Sequence, residues 1–416
     1  MSTRTLIVVE QLRRAVPGGI GRYASGLLDG LAALDDGIDE NGRVGRVGGV
    51  GRSEGAGGSA GVDVSLLASR WAGPGPDPLA RWGMPVVPSR LPGPVLTRSW
   101  DRGLRRAPSG FDVVHAVSTA APPVRWGRPP GAGGSGRDGD AELVVTVHDL
   151  AWRLYPEATT RRGRRWHEAA LQRALRRADA LLVPSADAVV ELEAAGARPG
   201  TVSVLHWGTD HLPPPDRDGA AALLRRLGVA DGYLLTASTR EPRKNLHRLV
   251  AGYARARPSL PEPWPLVLVG PEGWGDADVG LGGGAATGTR PAALDGVVTT
   301  GLVTDEILSA LYEGARAFVY VPLAEGYGLP PLEAMTFGVP VVASTGVPSA
   351  AAVDGADPPA LRVDPMDLDA IATALVAAAS DDHLRSELSA RGHALVAGRT
   401  WREAAQWHAD LWRSLG

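Results

Sequence analysis

Glu325 and Glu333 stand with seven residues between them, on either side of a glycine- and proline-rich passage. Ahead of them, Phe318 to Val321 is a short apolar run that reads as a buried strand. Glu325-Gly326-Tyr327-Gly328 is a glycine-spaced loop. Pro330 and Pro331 suit the first turn of a helix, Gly338 suits its far end, and Val339 to Ala343 reads as a return strand. A loop of this kind leaves backbone N–H groups free at a helix start, which is a site for an anion such as a diphosphate. The bland alternative makes Glu325 a surface acid and Glu333 an exposed helix residue.

A second group is cationic. Lys and Arg together number 43, yet Lys244 is the single lysine. A chain that uses arginine for generic positive charge keeps lysine where a compact ammonium fits and the planar fork does not. Lys244 and Arg243 follow the apolar run Tyr233 to Ala237, at the carboxyl end of an expected strand. A third element is His148-Asp149, at the end of the strand Leu143 to Val147. A polar pair there points into the crevice where open α/β sheets bind ligands. Asp149 either orients the imidazole, bonds an acceptor or caps the next helix.

The stretch around Glu325 and Glu333 resembles the E-x7-E motif of retaining glycosyltransferases of the GT-B fold, in the large family 4. Three further segments are similar to that family: GGIGRY from Gly18, VTVHDL around His148, and EPRKN around Lys244. The resemblance implies two Rossmann-like domains facing each other across a cleft, with a C-terminal helix crossing back to the first. It implies that Glu325 and the loop Gly326, Tyr327, Gly328 and Leu329 meet the donor sugar, and that Glu333 holds the ribose. Arg243 and Lys244 would grip the leaving diphosphate, and His148 would contact the donor sugar or the reacting groups. Gly18, Gly19 and Gly21, with Asp149, would lie on the acceptor side, Gly19 also near the donor phosphates. Catalytic roles thus fall to His148, Arg243, Lys244 and Glu325. The expected donor is GDP-mannose, with retention by front-side displacement and hinge closure over the substrates. The acceptor would be a glycan or a lipid-linked glycan.

Two positions depart from the family pattern. Ser238 stands where some relatives carry an arginine, with Arg240 as a candidate substitute. Val347-Pro348-Ser349 lacks the acid that often follows the proline.

The elements that must position these groups follow in order. Thr5 to Val9 is a first strand, Pro17 to Gly21 a glycine loop, and Arg22 to Leu34 a helix: the opening unit of a Rossmann-like domain. Glycine-rich insertions are expected near 37–61 and 127–140, and Trp71 to Pro94 reads as loop. Val62 to Ala68, Phe111 to Ala116, Ala180 to Pro184 and Val202 to Leu205 read as strands. The expected boundaries are 1–212 for the first domain, 213–398 for the second, and 399–416 for an amphipathic helix returning to the first. Arg161 to Ala178, and the run Arg98 to Arg106 around Trp100, are basic with interleaved tryptophan. A solvated helix face is the favoured reading; peripheral contact with the inner membrane surface is the alternative.

Composition excludes several classes. Net charge is −3, so no basic field argues for nucleic acid. No cysteine is present, hence no disulfide framework, thiolate catalysis or zinc–thiolate site. No run of eighteen apolar residues occurs, and Met1 to Val9 lacks the pattern of a signal peptide, so a cytoplasmic chain is expected. Four Asp-x-Asp pairs occur, at 138/140, 216/218, 276/278 and 367/369, in loops, a linker or a helix start. None reads as a metal site, so neither a metal nor a cofactor is expected beyond the donor substrate. A phosphorylase would need a second lysine for pyridoxal phosphate; an epimerase, a UDP-sugar transferase and a non-catalytic nucleotide-sugar-binding protein remain as competing readings.

Overall fold

The computed structural model describes residues 2–14, 18–35, 61–125, 141–230, 232–262, 264–271, 295–353 and 355–416. The two expected glycine-rich insertions, apart from Gly61, lie outside the described residues, as do the Asp pairs at 138/140 and 276/278. Two compact units are present. One comprises Met1–Leu150, Arg161–Gly208 and Arg399–Gly416; the other comprises Ala151–Thr160 and Thr209–Gly398.

In chain order the elements up to residue 208 are β1 (Thr3–Val8), α1 (Gly18–Asp35), β2 (Val62–Ala68), β3 (Val86–Pro88), α2 (Gly93–Asp101), β4 (Val113–Ala116), β5 (Glu142–Thr146), α3 (Ala151–Leu154), α4 (Arg161–Arg177), β6 (Ala180–Val183), α5 (Ala186–Ala194) and β7 (Val202–Val204). All seven strands pair in parallel in the order β3-β2-β1-β4-β5-β6-β7. Strands covered on both faces need apolar residues at successive positions rather than alternate ones. Leu6, Ile7, Val113, Val114, Val144 and Val145 are accordingly all buried.

The second unit continues with α6 (Arg217–Arg226), β8 (Leu234–Ala237), α7 (Leu246–Ala256), β9 (Leu266–Val269), β10 (Val297–Gly301), α8 (Asp305–Glu313), β11 (Ala317–Tyr320), α9 (Leu329–Thr336), β12 (Val341–Ser344), β13 (Leu361–Val363), α10 (Leu368–Ser380), α11 (Asp382–Val396) and α12 (Trp401–Leu415), the last belonging to the first unit. Its six strands are also parallel, in the order β10-β9-β8-β11-β12-β13. In each sheet the strand order reverses beside the unit's first strand, between β1 and β4 and between β8 and β11. Such a switch point opens a crevice at the carboxyl ends of the strands.

Three local expectations are corrected. The segment Trp71 to Pro94 holds β3 on the sheet edge and the start of α2. Proline cannot donate to a ladder and is confined to edges, so a three-residue edge strand ending in Pro88 looks like loop in sequence. Gly18, Gly19 and Gly21 occupy the first turn of α1 rather than a separate loop. Trp100 is 2% exposed, inside the first unit, and so is no surface anchor for lipid.

The glycines of α1 have a second use. A Cβ on Gly30 would lie 2.0 Å from the backbone oxygen of Trp401, and one on Gly26 would lie 2.1 Å from its indole. α12 therefore lies directly on α1, and its own start is held by a capping box between Thr400 and Glu403. His408 fixes its middle: its Nδ1–H donates to Ala404 O at 2.7 Å, so Nε2 accepts from the Tyr23 hydroxyl at 2.8 Å. Burial pulls the His408 imidazole down to about 4, which keeps it neutral. Gly30→Ala is expected to cost about 1–3 kcal/mol by overpacking. Gly19→Ala, whose Cβ would meet nothing within 4 Å, is expected to lose none; urea unfolding of the two variants checks the contrast.

Candidate functional site

The carboxyl ends of β8 and β11 are neighbours at the switch point of the second sheet, and they bring Lys244 and Glu325 together. After β8 the chain makes a one-turn 3-10 helix, Pro242–Lys244, and enters α7 through Asn245. Asn245 has φ 57, a left-handed conformation that asparagine tolerates better than most residues. Its amide donates to Val321 O at 3.0 Å and Pro365 O at 2.9 Å while fully buried. Those two bonds tie the residue after Lys244 to the segments that follow β11 and β13.

Lys244 Nζ donates to Glu325 Oε1 at 2.6 Å and to the Tyr320 hydroxyl at 2.8 Å. Tyr320 in turn donates to the same Oε1 at 2.9 Å, and Arg243 Nη1 lies 2.9 Å from it. Arg243 also bridges to Glu241 at 3.1 Å and donates to Ala324 O at 2.9 Å. Of the three ammonium protons of Lys244, two are donated to protein partners among the described residues.

The shifts follow from one carboxylate serving two cations. Burial pushes the Glu325 carboxyl up, but Arg243 and Lys244 together outweigh it and pull it down to about 2. Lys244 moves the opposite way for a paired base. Burial lowers it, and its half-share of Glu325, opposed by Arg243, does not restore it. The two directions conflict only if the cluster is treated as a pair; with two cations on one acid both hold. Tyr320 is raised well above its ordinary value, by burial first and by Glu325 second, and so stays a neutral donor.

The loop after β11 is fixed from two sides. Leu323 N donates to Arg243 O, and Glu325 N to Gly346 O, each at 2.9 Å. Gly326, Tyr327 and Gly328 then lead into α9, which starts without a side-chain cap. Gly328 has φ 98, and a Cβ there would lie 2.5 Å from Val347 and 2.9 Å from the Ser349 hydroxyl. Ser349 stands where the family pattern carries an acid. It donates through Oγ to Gly328 O at 2.6 Å and through N to Tyr327 O at 2.9 Å, clamping the loop at the helix start. Leu329 and Glu333 are buried in α9, at 6% and 2% exposure. Glu333 accepts from Tyr312 at 2.8 Å on Oε2 and from His211 Nε2 at 2.9 Å on Oε1. Arg240 is 7% exposed and has no ion-pair partner among the described residues; it lines a small crevice with Thr236, Ser238 and Gly270.

In the first unit, His148 Nε2–H donates to Val117 O at 2.8 Å, just past β4. Burial lowers its pKa, so the ring is neutral and Nδ1 is left as an acceptor. The imidazole rests edge-on against Tyr23 of α1, centroids 5.2 Å apart, which sets it beside the helix that begins with Gly18, Gly19 and Gly21. Asp149 is half-buried next to it.

Two family models match the chain, one in each half. The glycosyltransferase family 4 model matches residues 57–211, and the model described as glycosyl transferases group 1 matches residues 232–381. The O-antigen chain mannosyltransferase B of Escherichia coli is 34% identical over 263 residues, 62% of this chain and 66% of that protein. The chain belongs to the family 4 glycosyltransferases. A serotype-specific mannosyltransferase WbdA of Escherichia coli is 31% identical to this transferase over 189 residues, 44% of this chain and 22% of that protein. Among solved structures, the sucrose-phosphate synthase of Thermosynechococcus elongatus superposes with a TM-score of 0.67 at 18% identity, covering 99% of each chain. Anabaena Alr3699/HepE in complex with UDP and glucose gives a TM-score of 0.65 at 17% identity, covering 99% of this chain and all of that one. These likenesses identify the fold as GT-B.

Four residues of this transferase that contact or adjoin the expected site groups escape a motif reading: Tyr320, Asn245, Tyr312 and His211. Tyr320 ends an otherwise apolar strand and reads as core. Asn245 closes EPRKN, but its role depends on a left-handed backbone that sequence does not display. Tyr312 and His211 are brought to Glu333 from 21 and 122 residues away in sequence.

The basic segments also resolve. Trp166 Nε1 donates to Asp101 of α2 at 2.9 Å, and Arg173 pairs with the same acid. Arg161, Arg162, Arg164 and Arg165 are exposed, a solvated face whose tryptophan is tied inward. Asp216 and Asp367, from two of the Asp-x-Asp pairs, cap α6 and α10. Among the described residues no cluster is placed to hold a metal ion, and no helix is long and apolar enough to cross a membrane.

Proposed function

We propose that this glycosyltransferase moves mannose from GDP-mannose to a glycan or lipid-linked glycan, with retention of anomeric configuration and without a metal ion. The observation that carries the reading is the placement of Arg243, Lys244 and Glu325 at the switch point of the second sheet. Breaking the anomeric C–O bond puts positive charge on the sugar and negative charge on the diphosphate. Lys244, Arg243, Arg240 and the start of α9 stabilise that departing anion. Glu325, held as a carboxylate, accepts from the sugar hydroxyls, and the loop Gly326 to Leu329 brings backbone N–H groups to them. Glu333 receives the ribose. On the acceptor side Gly18, Gly19 and Gly21 allow close approach, and His148 offers Nδ1 to the incoming hydroxyl, with Asp149 beside it. The mannosyl donor is supported by the mannosyltransferase relatives. Such a transfer places the protein in the cytoplasm, where activated sugars are made, working on acceptors presented at the inner membrane surface.

The test is direct. The purified protein is incubated with GDP-mannose, UDP-glucose and UDP-galactose and with a lipid-linked glycan extract, and products are followed by NMR in the presence of EDTA. Transfer from GDP-mannose to an axial-to-axial product, unaffected by EDTA, supports the proposal. Transfer from a UDP-sugar alone overturns the donor, an inverted product overturns the stereochemistry, and binding without turnover from any donor overturns the enzyme reading in favour of a nucleotide-sugar-binding protein.

A further inference from the structure

Glu333 accepts from a core residue, Tyr312, and from a loop residue, His211. Its side chain is 3% exposed, so nothing reaches the carboxylate without displacing a neighbour. Tyr312, on Oε2, is fully buried and stacks on Phe337 with ring planes 10° apart. It is part of the core and cannot leave. His211, on Oε1, lies in the segment between β7 and α6, outside any helix or strand, with its side chain 8% exposed. An imidazole N–H and a ribose hydroxyl are the same kind of donor to a carboxylate.

We infer that His211 competes with the donor's ribose for Glu333. The inference rests on the reading that Glu333 is the ribose acceptor. A nucleotide whose hydroxyls reach Oε1 exchanges one hydrogen bond for another, and His211 swings out to water. When the spent nucleoside diphosphate departs, His211 returns and satisfies the buried carboxylate, which would otherwise be left short of a donor in a poorly solvated place. His211 thus lowers the affinity for the product and speeds its release, a step that limits turnover in many transferring enzymes. Removing the imidazole removes the competitor, so ribonucleotides bind more tightly while nucleotides without ribose hydroxyls are indifferent.

The experiment is calorimetric titration of GDP, UDP and 2′,3′-dideoxy-GDP into the wild type, His211→Ala and Glu333→Gln. In His211→Ala the ribonucleotide that the wild type binds is expected to bind about tenfold tighter, the size of one hydrogen bond to a charged group. Dideoxy-GDP is expected to bind both proteins alike, and steady-state kinetics with the active donor should show lower KM and lower kcat together. Unchanged or weaker ribonucleotide binding by His211→Ala overturns the proposal. If GDP and dideoxy-GDP bind the wild type equally, and Glu333→Gln changes neither, the ribose reading of Glu333 has itself failed, an outcome separable from a silent His211. A second measurement uses the unmodified protein: carbethoxylation of His211 by diethyl pyrocarbonate, read by mass spectrometry, should accelerate on saturation with the bound nucleotide. Protection or no change overturns displacement even where His211→Ala does not fold.

Discussion

Lys244→Met lowers kcat/KM for sugar transfer by about two to three orders of magnitude, the loss seen when one preorganised charge-stabilising donor is removed from a transition state. The expectation comes from where the ammonium points. Two of its protons are committed to Tyr320 and Glu325, which aim the group, and the third has no partner among the described residues. Charge develops on the diphosphate only as the sugar leaves, so the lost interaction falls mainly on kcat. GDP binding should weaken, and GMP binding should weaken less, because the second phosphate carries the contact. The fold should survive. Burial already lowers the Lys244 pKa, so carrying that charge inside costs stability, and replacing it by an apolar chain of similar length is close to neutral. Lys244→Arg is expected to remain poorly active, since a five-donor fork does not fit a site that offers two acceptors in a 12% exposed position. Donor-hydrolysis and transfer assays on both variants, beside thermal unfolding, separate a catalytic loss from a structural one.

The fold was legible because parallel strands and their helices obey simple patterns. Apolar runs such as those in β1, β5 and β11 need both faces covered, and the glycine and proline punctuation around α9 marks its ends. The family 4 motifs bring Arg243, Lys244 and Glu325 together because each follows a strand at a switch point, so a sequence-local motif becomes a spatial one. What stayed hidden depends on long-range geometry. Gly26 and Gly30 make room for Trp401, which no periodicity within α1 reveals. Ser349 reads as a deficit against the family pattern, yet it bonds the loop backbone at Gly328. Trp100 admits a lipid-contact reading because basic residues surround it in sequence; in α2 Arg98 is exposed and the indole is buried. Glu333 reads as a ready ligand, and only coordinates show both of its oxygens already engaged.

Glu325→Gln is expected to destabilise the protein where Lys244→Met does not, and the asymmetry has a definite pH signature. The Glu325 carboxyl sits at about 2, against an ordinary 4.5. A folded-state pKa below the unfolded one means that stability is present above the unfolded value and is lost as pH falls from about 4.5 through about 2. The displacement corresponds to about 3 kcal/mol at neutral pH. Removing the anion strips the shared partner from two cations at once, and an uncompensated buried charge costs a similar amount. The wild type should therefore be more stable than Glu325→Gln by about 3 kcal/mol at pH 7, with the gap closing steadily between pH 4.5 and 2 as the wild-type acid takes up its proton. Urea unfolding at stepped pH measures this; a gap independent of pH in that window would mean the carboxylate is not held by Arg243 and Lys244. The variant also tests the site. With Glu325 neutral, Lys244 loses the nearer of the two carboxylates, Glu325 and Glu241, that oppose the effect of burial, so its pKa falls further and the ammonium deprotonates at lower pH than in the wild type. Residual transfer by Glu325→Gln should then decline on the alkaline side of its pH profile earlier than wild-type transfer does, because the charge that meets the leaving diphosphate has gone.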